Sequence, residues 1–227
     1  VATLVRRVFE RLDWQALAEI YFDWGGDRFW QQRRGNVVSM GGELGKRLLH
    51  RVPRGGASLW VGAGVMELPV LLGEIVLHDR RVVATNLRAR ECEVLNAALA
   101  AAVAEVPLRY VAEDASTAAA GSTFDHLGCI SVFTDPERWP VLSEVTYGRV
   151  APAQLDVDRF VAERAAAHDL ATNLFARLQR PALISTTAEE VAWFLGPAAA
   201  AGAQVDAENE LVPTAVVGDP VGFLVVR

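Results

Sequence analysis

Lysine is almost missing from this chain. Lys46 stands alone beside 21 arginines, while alanine and valine abound. That bias reads as codon usage in a GC-rich bacterial genome, not as arginine chemistry. Cysteine is nearly as scarce. Cys92 and Cys129 are the only two, and both sit in apolar stretches, so they read as reduced, buried thiols. The four histidines lie far apart in sequence, and no metal-ligand spacing joins them to the cysteines, so no metal is expected. No apolar run reaches the roughly 18 residues that a membrane span needs. No charged stretch followed by an apolar one opens the chain, so the expected compartment is the cytoplasm, with no membrane partner. A basic excess is also absent. The net charge of −6 argues against a nucleic-acid footprint, which wants a positive surface.

What is present is apolar content. The chain has 227 residues and is 52% hydrophobic, enough for one sizeable core domain with an appendage. Residues 1–56 read as helices: Leu4, Val5, Val8, Phe9 and Leu12 recur at helical spacing, and "DWQALAEIYFDWGGD" is rich in aromatics. A third segment, "MGGELGKRLLHRV", ends at Pro53. From Ser58 strands and helices alternate. Strands are expected at Ser58–Val61, Arg81–Thr85, Leu108–Ala112, Phe124–Phe133 and Ala182–Thr186. Helices are expected at Glu67–Leu77, Arg88–Ala104, Asp135–Thr146 and Asp156–Leu178, the last capped by Asp156. Thr187 and Glu190 have the spacing of a capping box. The chain closes on two strand-like runs joined by a turn at "VGDPVG". The expected architecture is α/β: a Rossmann-like, seven-stranded, mostly parallel sheet with an antiparallel C-terminal hairpin. A helical N-terminal cap at 1–56 precedes the sheet domain at 57–227.

The glycine turn in "ASLWVGAGVMELPVLLGEI", together with the element order and the terminal hairpin, resembles the class I S-adenosylmethionine (SAM)-dependent methyltransferases. The resemblance covers roughly residues 58–227 and implies the sites that follow. The family's first motif, acid-x-Gly-x-Gly-x-Gly, falls on Trp60, Gly62, Gly64 and Met66. The acid that contacts the methionine amino group is therefore Trp60, and the third glycine is Met66. The ribose-gripping acid that ends the second strand is Asn86, and the adenine-binding position is Asp114. Losing two charge-assisted hydrogen bonds, at about 1.5–3 kcal/mol each, weakens binding by roughly two to four decades. The resulting expectation is a kept fold with an altered SAM site, which binds SAM weakly or not at all.

Candidate residues each carry two readings. Trp60 is a floor filling vacated cofactor space, or a core tryptophan at a strand end. Asp114 is a pocket carboxylate, or a surface acid. Asp135 and Glu137 supply a general base, or charge a helix N-terminus. Asp114, Asp135 and Glu137 are the catalytic candidates. Glu67 reads as a solvated acid opening a helix. The aromatics Trp14, Tyr21, Phe22, Trp24, Phe29 and Trp30 read as packing, with the Gly-Gly break beside them a possible lid hinge. Three functions follow. The first is a methyltransferase-fold enzyme of natural-product biosynthesis that works on a small-molecule substrate by acid/base chemistry, such as intramolecular displacement or ring closure. The second is a SAM-dependent O- or N-methyltransferase. The third is a non-catalytic subunit that pairs with a protein partner or forms a homodimer.

Overall fold

The computed structural model describes residues 1–21, 26–214 and 218–227, with Asp27 described by its backbone alone. Three helices come first: α1 (Ala2–Arg11), α2 (Trp14–Tyr21) and α3 (Gly26–Leu49). The alternating part follows as β1 (Ala57–Val61), α4 (Leu68–His78), β2 (Arg81–Thr85), α5 (Ala89–Val103), β3 (Tyr110–Val111) and β4 (Phe124–Cys129). Then come α6 (Pro140–Thr146), α7 (Val157–Phe175), β5 (Leu178–Thr187), α8 (Ala192–Ala200), β6 (Val205–Ala207) and β7 (Val221–Val226). The seven strands form one sheet in the order β3-β2-β1-β4-β5-β7-β6. The first five are parallel, and β7 runs antiparallel between β5 and β6. The expected mostly parallel sheet with an antiparallel C-terminal pair is therefore observed.

Alternation along each strand assigns its side chains to two cores. In β1, Trp60 faces the layer built from α1–α5, while Leu59 and Val61 face the layer of α7 and α8. Helix α4 is apolar on nearly every side because the sheet covers one face and α3 the other. It ends at Asp79, whose left-handed φ of 52° lets the Asp79 and Arg80 amides reach the carbonyls of Ile75 and Glu74. The N-terminal helices share this core: α1 and α2 pack on α5, and α3 on α4. Asp156 caps α7 as expected, accepting the Arg159 amide at 3.0 Å.

Local expectations change at several points: β3 is shorter than expected, and Leu178, expected at the end of a helix, opens β5. β4 stops at Cys129, because Ser131 takes a left-handed φ of 54° that ends the extended run. Helix α6 starts at Pro140, not Asp135; Asp135 Oδ1 instead accepts the Glu137 amide at 2.9 Å and closes a turn. The Thr187–Glu190 capping box does not form. The Glu190 carboxylate is drawn beneath the loop after β4, where it accepts the amides of Phe133 (2.6 Å) and Thr134 (3.1 Å). Strands β6 and β7 pair, but through a connection over 208–220, not a tight turn; Val217 of the expected turn lies outside the described residues.

Candidate functional site

A cleft of about 870 Å³ opens at the C-terminal ends of β1, β2 and β4. This is where ligands of open α/β sheets collect, because the connections on either side of β1 diverge there. Tyr21 of α2 and Phe29 and Trp30 of α3 wall one side of it.

The glycine turn after β1 forms the bottom. Gly62 holds a φ of +66°, which favours glycine. At Gly64 a Cβ would stand 2.5 Å from Glu91 Oε1, so the missing side chain makes room for this chain's own carboxylate. The Gly64 amide donates to Glu67 Oε2 at 2.8 Å, and the Tyr110 hydroxyl donates to the Gly64 carbonyl at 3.1 Å. Glu91 Oε2 accepts the Tyr21 hydroxyl at 2.5 Å and the Asn86 amide at 2.9 Å. Asn86 is engaged at both polar atoms of its side chain: its Nδ2 also donates to the Ala63 carbonyl, and its Oδ1 accepts the Arg88 amide, both at 2.9 Å. The Arg88 guanidinium lies 5.1 Å from the centre of the Tyr21 ring and pairs with Asp135 at 3.0 Å and Glu137 at 2.9 Å.

Burial sets the protonation of the two inner acids. It lifts Glu67 to about 7, against the pull of the Gly64 amide and with some push from Glu91. It also raises Glu91, against hydrogen bonds from Tyr21 and Asn86 and the charge of Arg88. Tyr21 is raised by burial and then by the charge and hydrogen bond of Glu91, so it stays a neutral donor. Asp114 goes the other way. Against its partial burial, the Ser116 hydroxyl and amide and then Arg138 hold it below the usual carboxylate range.

Of the residues singled out from sequence, Gly62, Gly64, Met66, Asn86, Asp114, Asp135 and Glu137 all line the cleft. Trp60 does not. Its indole is 1% exposed, points toward α4, donates to Glu74 Oε1 at 2.6 Å and lies over Gly128 of β4, so its core reading is the one that holds. Met66 is half-buried beside the turn. Tyr21, Phe29 and Trp30 reach the cleft, and Trp14 packs behind them against Phe9 and Trp30. Phe22, Trp24 and the Gly-Gly break at Gly25 fall partly or wholly outside the described residues. Glu67 is buried, not solvated. Glu91 and Arg88 were not foreseen at all. A signal for Glu91 exists: residues 91, 95, 98 and 102 share one buried helical face, so this acid sits on an apolar stripe.

No protein-family model matches the chain, and no curated protein matches it. Solved structures do. The magnesium protoporphyrin IX methyltransferase ChlM from Synechocystis PCC 6803, solved with bound SAM, aligns over 99% of this chain and 97% of its own, at a TM-score of 0.56 and 11% identity. TrmN from Thermus thermophilus aligns over 84% of this chain and 52% of its own, at 0.52 and 15%. MtNAS in complex with MTA and tNA aligns over 99% of this chain and 86% of its own, at 0.50 and 12%. At these identities the likeness is one of architecture. The chain has the class I SAM-dependent methyltransferase fold, carried by a divergent sequence.

Proposed function

We propose that the chain is a methyltransferase-fold enzyme of small-molecule metabolism whose cleft performs acid/base chemistry without SAM. The carrying observation is Glu91. Its carboxylate packs on Gly64, where the fold family brings its glycine backbone against the cofactor, and Tyr21 and Asn86 hold it there. The other SAM positions are also committed elsewhere. Trp60 is turned into the core, Asn86 has both amide hydrogens committed and one Oδ1 lone pair taken by the Arg88 amide, and Asp114 is bound to Ser116 and Arg138. The residues present therefore do not fit SAM as that family binds it, and no step is routed through it.

Within this reading Glu67 is the acid/base group. With a pKa of about 7 it is half ionised at neutral pH, so it both takes and returns a proton. Asp114 is a weaker base, held below its usual range, and Asp135 and Glu137 are engaged in ion pairs with Arg88. A proton taken from an N–H or O–H group frees an electron pair for intramolecular displacement. The new bond closes a ring, the carbon-to-leaving-group bond breaks, and the leaving group departs with its electrons. The natural-product setting rests on the arginine-for-lysine bias alone.

A second reading, SAM-dependent methyl transfer to a small molecule, is favoured by the near-complete alignment with a methyltransferase solved with SAM. Calorimetric titration with SAM and S-adenosylhomocysteine separates the two. The proposal expects no binding in the low micromolar range. A dissociation constant there would replace it with the second reading.

A further inference from the structure

The loop after β4 forms one wall of the cleft. Ser131, Val132, Thr134 and Asp135 line it, and Asp135 and Glu137 reach across to Arg88. Two of the loop's carbonyls are held from the α6 side: the Trp139 indole donates to Val132 at 2.9 Å and the Ser143 hydroxyl to Thr134 at 2.8 Å. Its amides are held from below by one group. Glu190, which follows β5, accepts the amides of Phe133 (2.6 Å) and Thr134 (3.1 Å) on the same oxygen, Oε1. The Thr134 hydroxyl stands 3.4 Å from that oxygen, and the Thr186 hydroxyl 3.3 Å from Oε2. Consecutive amides aimed at one point cradle an anion, and here the chain fills the cradle with its own side chain. The Phe133 ring completes the attachment, stacked on Trp193 at 5.3 Å and edge-on to Phe194 at 5.9 Å.

The charge of this anchor is not balanced. Glu190 is fully buried, and among the described residues no arginine or lysine nitrogen lies within 4 Å of it. The titratable groups around it supply no positive charge. From β4 comes the buried Cys129 thiol, pushed up by burial and then by the charge of Glu190. Its chain neighbour Glu189 is exposed. Beyond Thr134, at the end of α6, stands Tyr147, which hydrogen-bonds Thr134 and Asp219. Helix α8 presents the apolar rings of Trp193 and Phe194. Burial therefore lifts Glu190 to about 7, against the pull of the two amides and the threonine hydroxyls.

We infer that Glu190 is a proton-operated clamp on the cleft: protonated, it holds the 130–137 wall closed, and ionised, it lets the wall open. The sign follows from linkage. A carboxyl that leaves this site for water returns to about 4.5, so the closed wall binds the proton more tightly than the open one. Proton binding closes the wall and ionisation loosens it. The hydroxyls around Oε2 suit both states, because a hydroxyl donates to a carboxylate and accepts from a carboxylic acid, while Oε1 keeps the two amides. Glu190 is thus a positioning residue. It lies beneath the wall and acts through Ser131 to Asp135, whether or not SAM enters the cleft. An open wall carries Asp135 and Glu137 away from Arg88, so the cleft is most completely formed in weakly acidic solution.

Amide hydrogen exchange of the full chain tests this, read by mass spectrometry on peptides covering 130–137 and corrected for the intrinsic effect of pH. Protection of these amides should fall by roughly twentyfold between pH 5.5 and pH 7.5, at a level below that of β1, which marks the opening as local. Glu190→Gln keeps an oxygen for the two amides and cannot ionise. Its wall should stay within about threefold of one protection level across that range, near the low-pH level of the unaltered protein. Glu190→Ala removes the clamp and should lose at least about tenfold protection at pH 5.5. A merely structural acid would give losses in both variants and no pH profile. Protection that is level or rises with pH in the unaltered protein would overturn the inference. So would a pH profile that survives in Glu190→Gln, or a Glu190→Ala wall as protected as the original. If Glu190→Ala does not fold, the unaltered protein and Glu190→Gln decide the matter between them.

Discussion

Two networks of buried carboxylates lie at opposite ends of the same strands, and they are finished differently. At the N-terminal ends, Glu74 takes hydrogen bonds from Ser58, the Trp60 indole (2.6 Å) and Arg80 (3.0 Å). Arg80 also bonds Asp125 and the Pro53 carbonyl. His126 is held well below its ordinary range by burial and then by Arg80, so it is neutral, and it sits between the hydroxyls of Ser58 and Ser185. At the C-terminal ends, Glu67 and Glu91 are as deeply buried, yet among the described residues neither has an arginine or lysine nitrogen within 4 Å. The same residue type thus plays two parts. Where every bond is made within the protein, a buried acid fixes the core. Where no such cation stands at contact distance, burial raises its pKa and favours the protonated form.

The sharpest way to break this contrast is to remove one cation from each network. Arg80→Met strands Glu74 and Asp125, and should lower the unfolding free energy by about 3–5 kcal/mol in urea titrations. A loss below about 1 kcal/mol would show that the basal network is not closed as described.

Acidity probes the cleft side. The folded pKa of Glu67, and likewise of Glu190 beneath the β4 loop, is about 7, above an unfolded value of 4.5. Such groups favour the fold while protonated, so their contribution is complete below about pH 4.5 and is lost as pH rises through about 7. Stability should fall between pH 5 and pH 8 by up to about 3 kcal/mol for each group. Glu67→Gln should flatten the fall by its own share. A profile that is level or rising over that window counts against the buried, unmatched state of these acids.

A smaller effect tests the geometry that turns Trp60 away from the cleft. A Cβ on Gly128 would collide with the Trp60 ring, so Gly128→Ala should cost about 1–3 kcal/mol, read as a lowered Tm. A neutral result would mean that the indole has room to move. The smallest change is expected at Arg88→Met. Its pairs with Asp135 and Glu137 are partly solvated, with 24% of the Arg88 side chain and 61% of the Glu137 side chain exposed, so stability should shift by less than about 1 kcal/mol. A loss as large as that of Arg80→Met would erase the distinction between the two ends.

Much of the architecture is legible without coordinates. Period-2 and period-3.6 patterns are local, so the alternation from Ser58 onward, the antiparallel ending and the helices before residue 57 can all be read from neighbouring residues. The resemblance to the methyltransferase family implied site positions at Gly62, Gly64, Asn86 and Asp114, and all four line the cleft, because parallel strands joined by helices bring their C-terminal ends to one edge. The capping role of Glu190 was misread because spacing cannot report that a loop from 56 residues earlier offers better donors. Glu91 was missed because its meaning depends on Tyr21, 70 residues away, and on the side chain that Gly64 lacks. Trp60 stood at the right place in the motif, but only the packing of β1 against β4 and α4 decided that its ring turns into the core. Backbone pattern is set by adjacent residues. Burial, protonation and the direction of a side chain are set by whatever the fold brings against it, and those partners are distant in sequence.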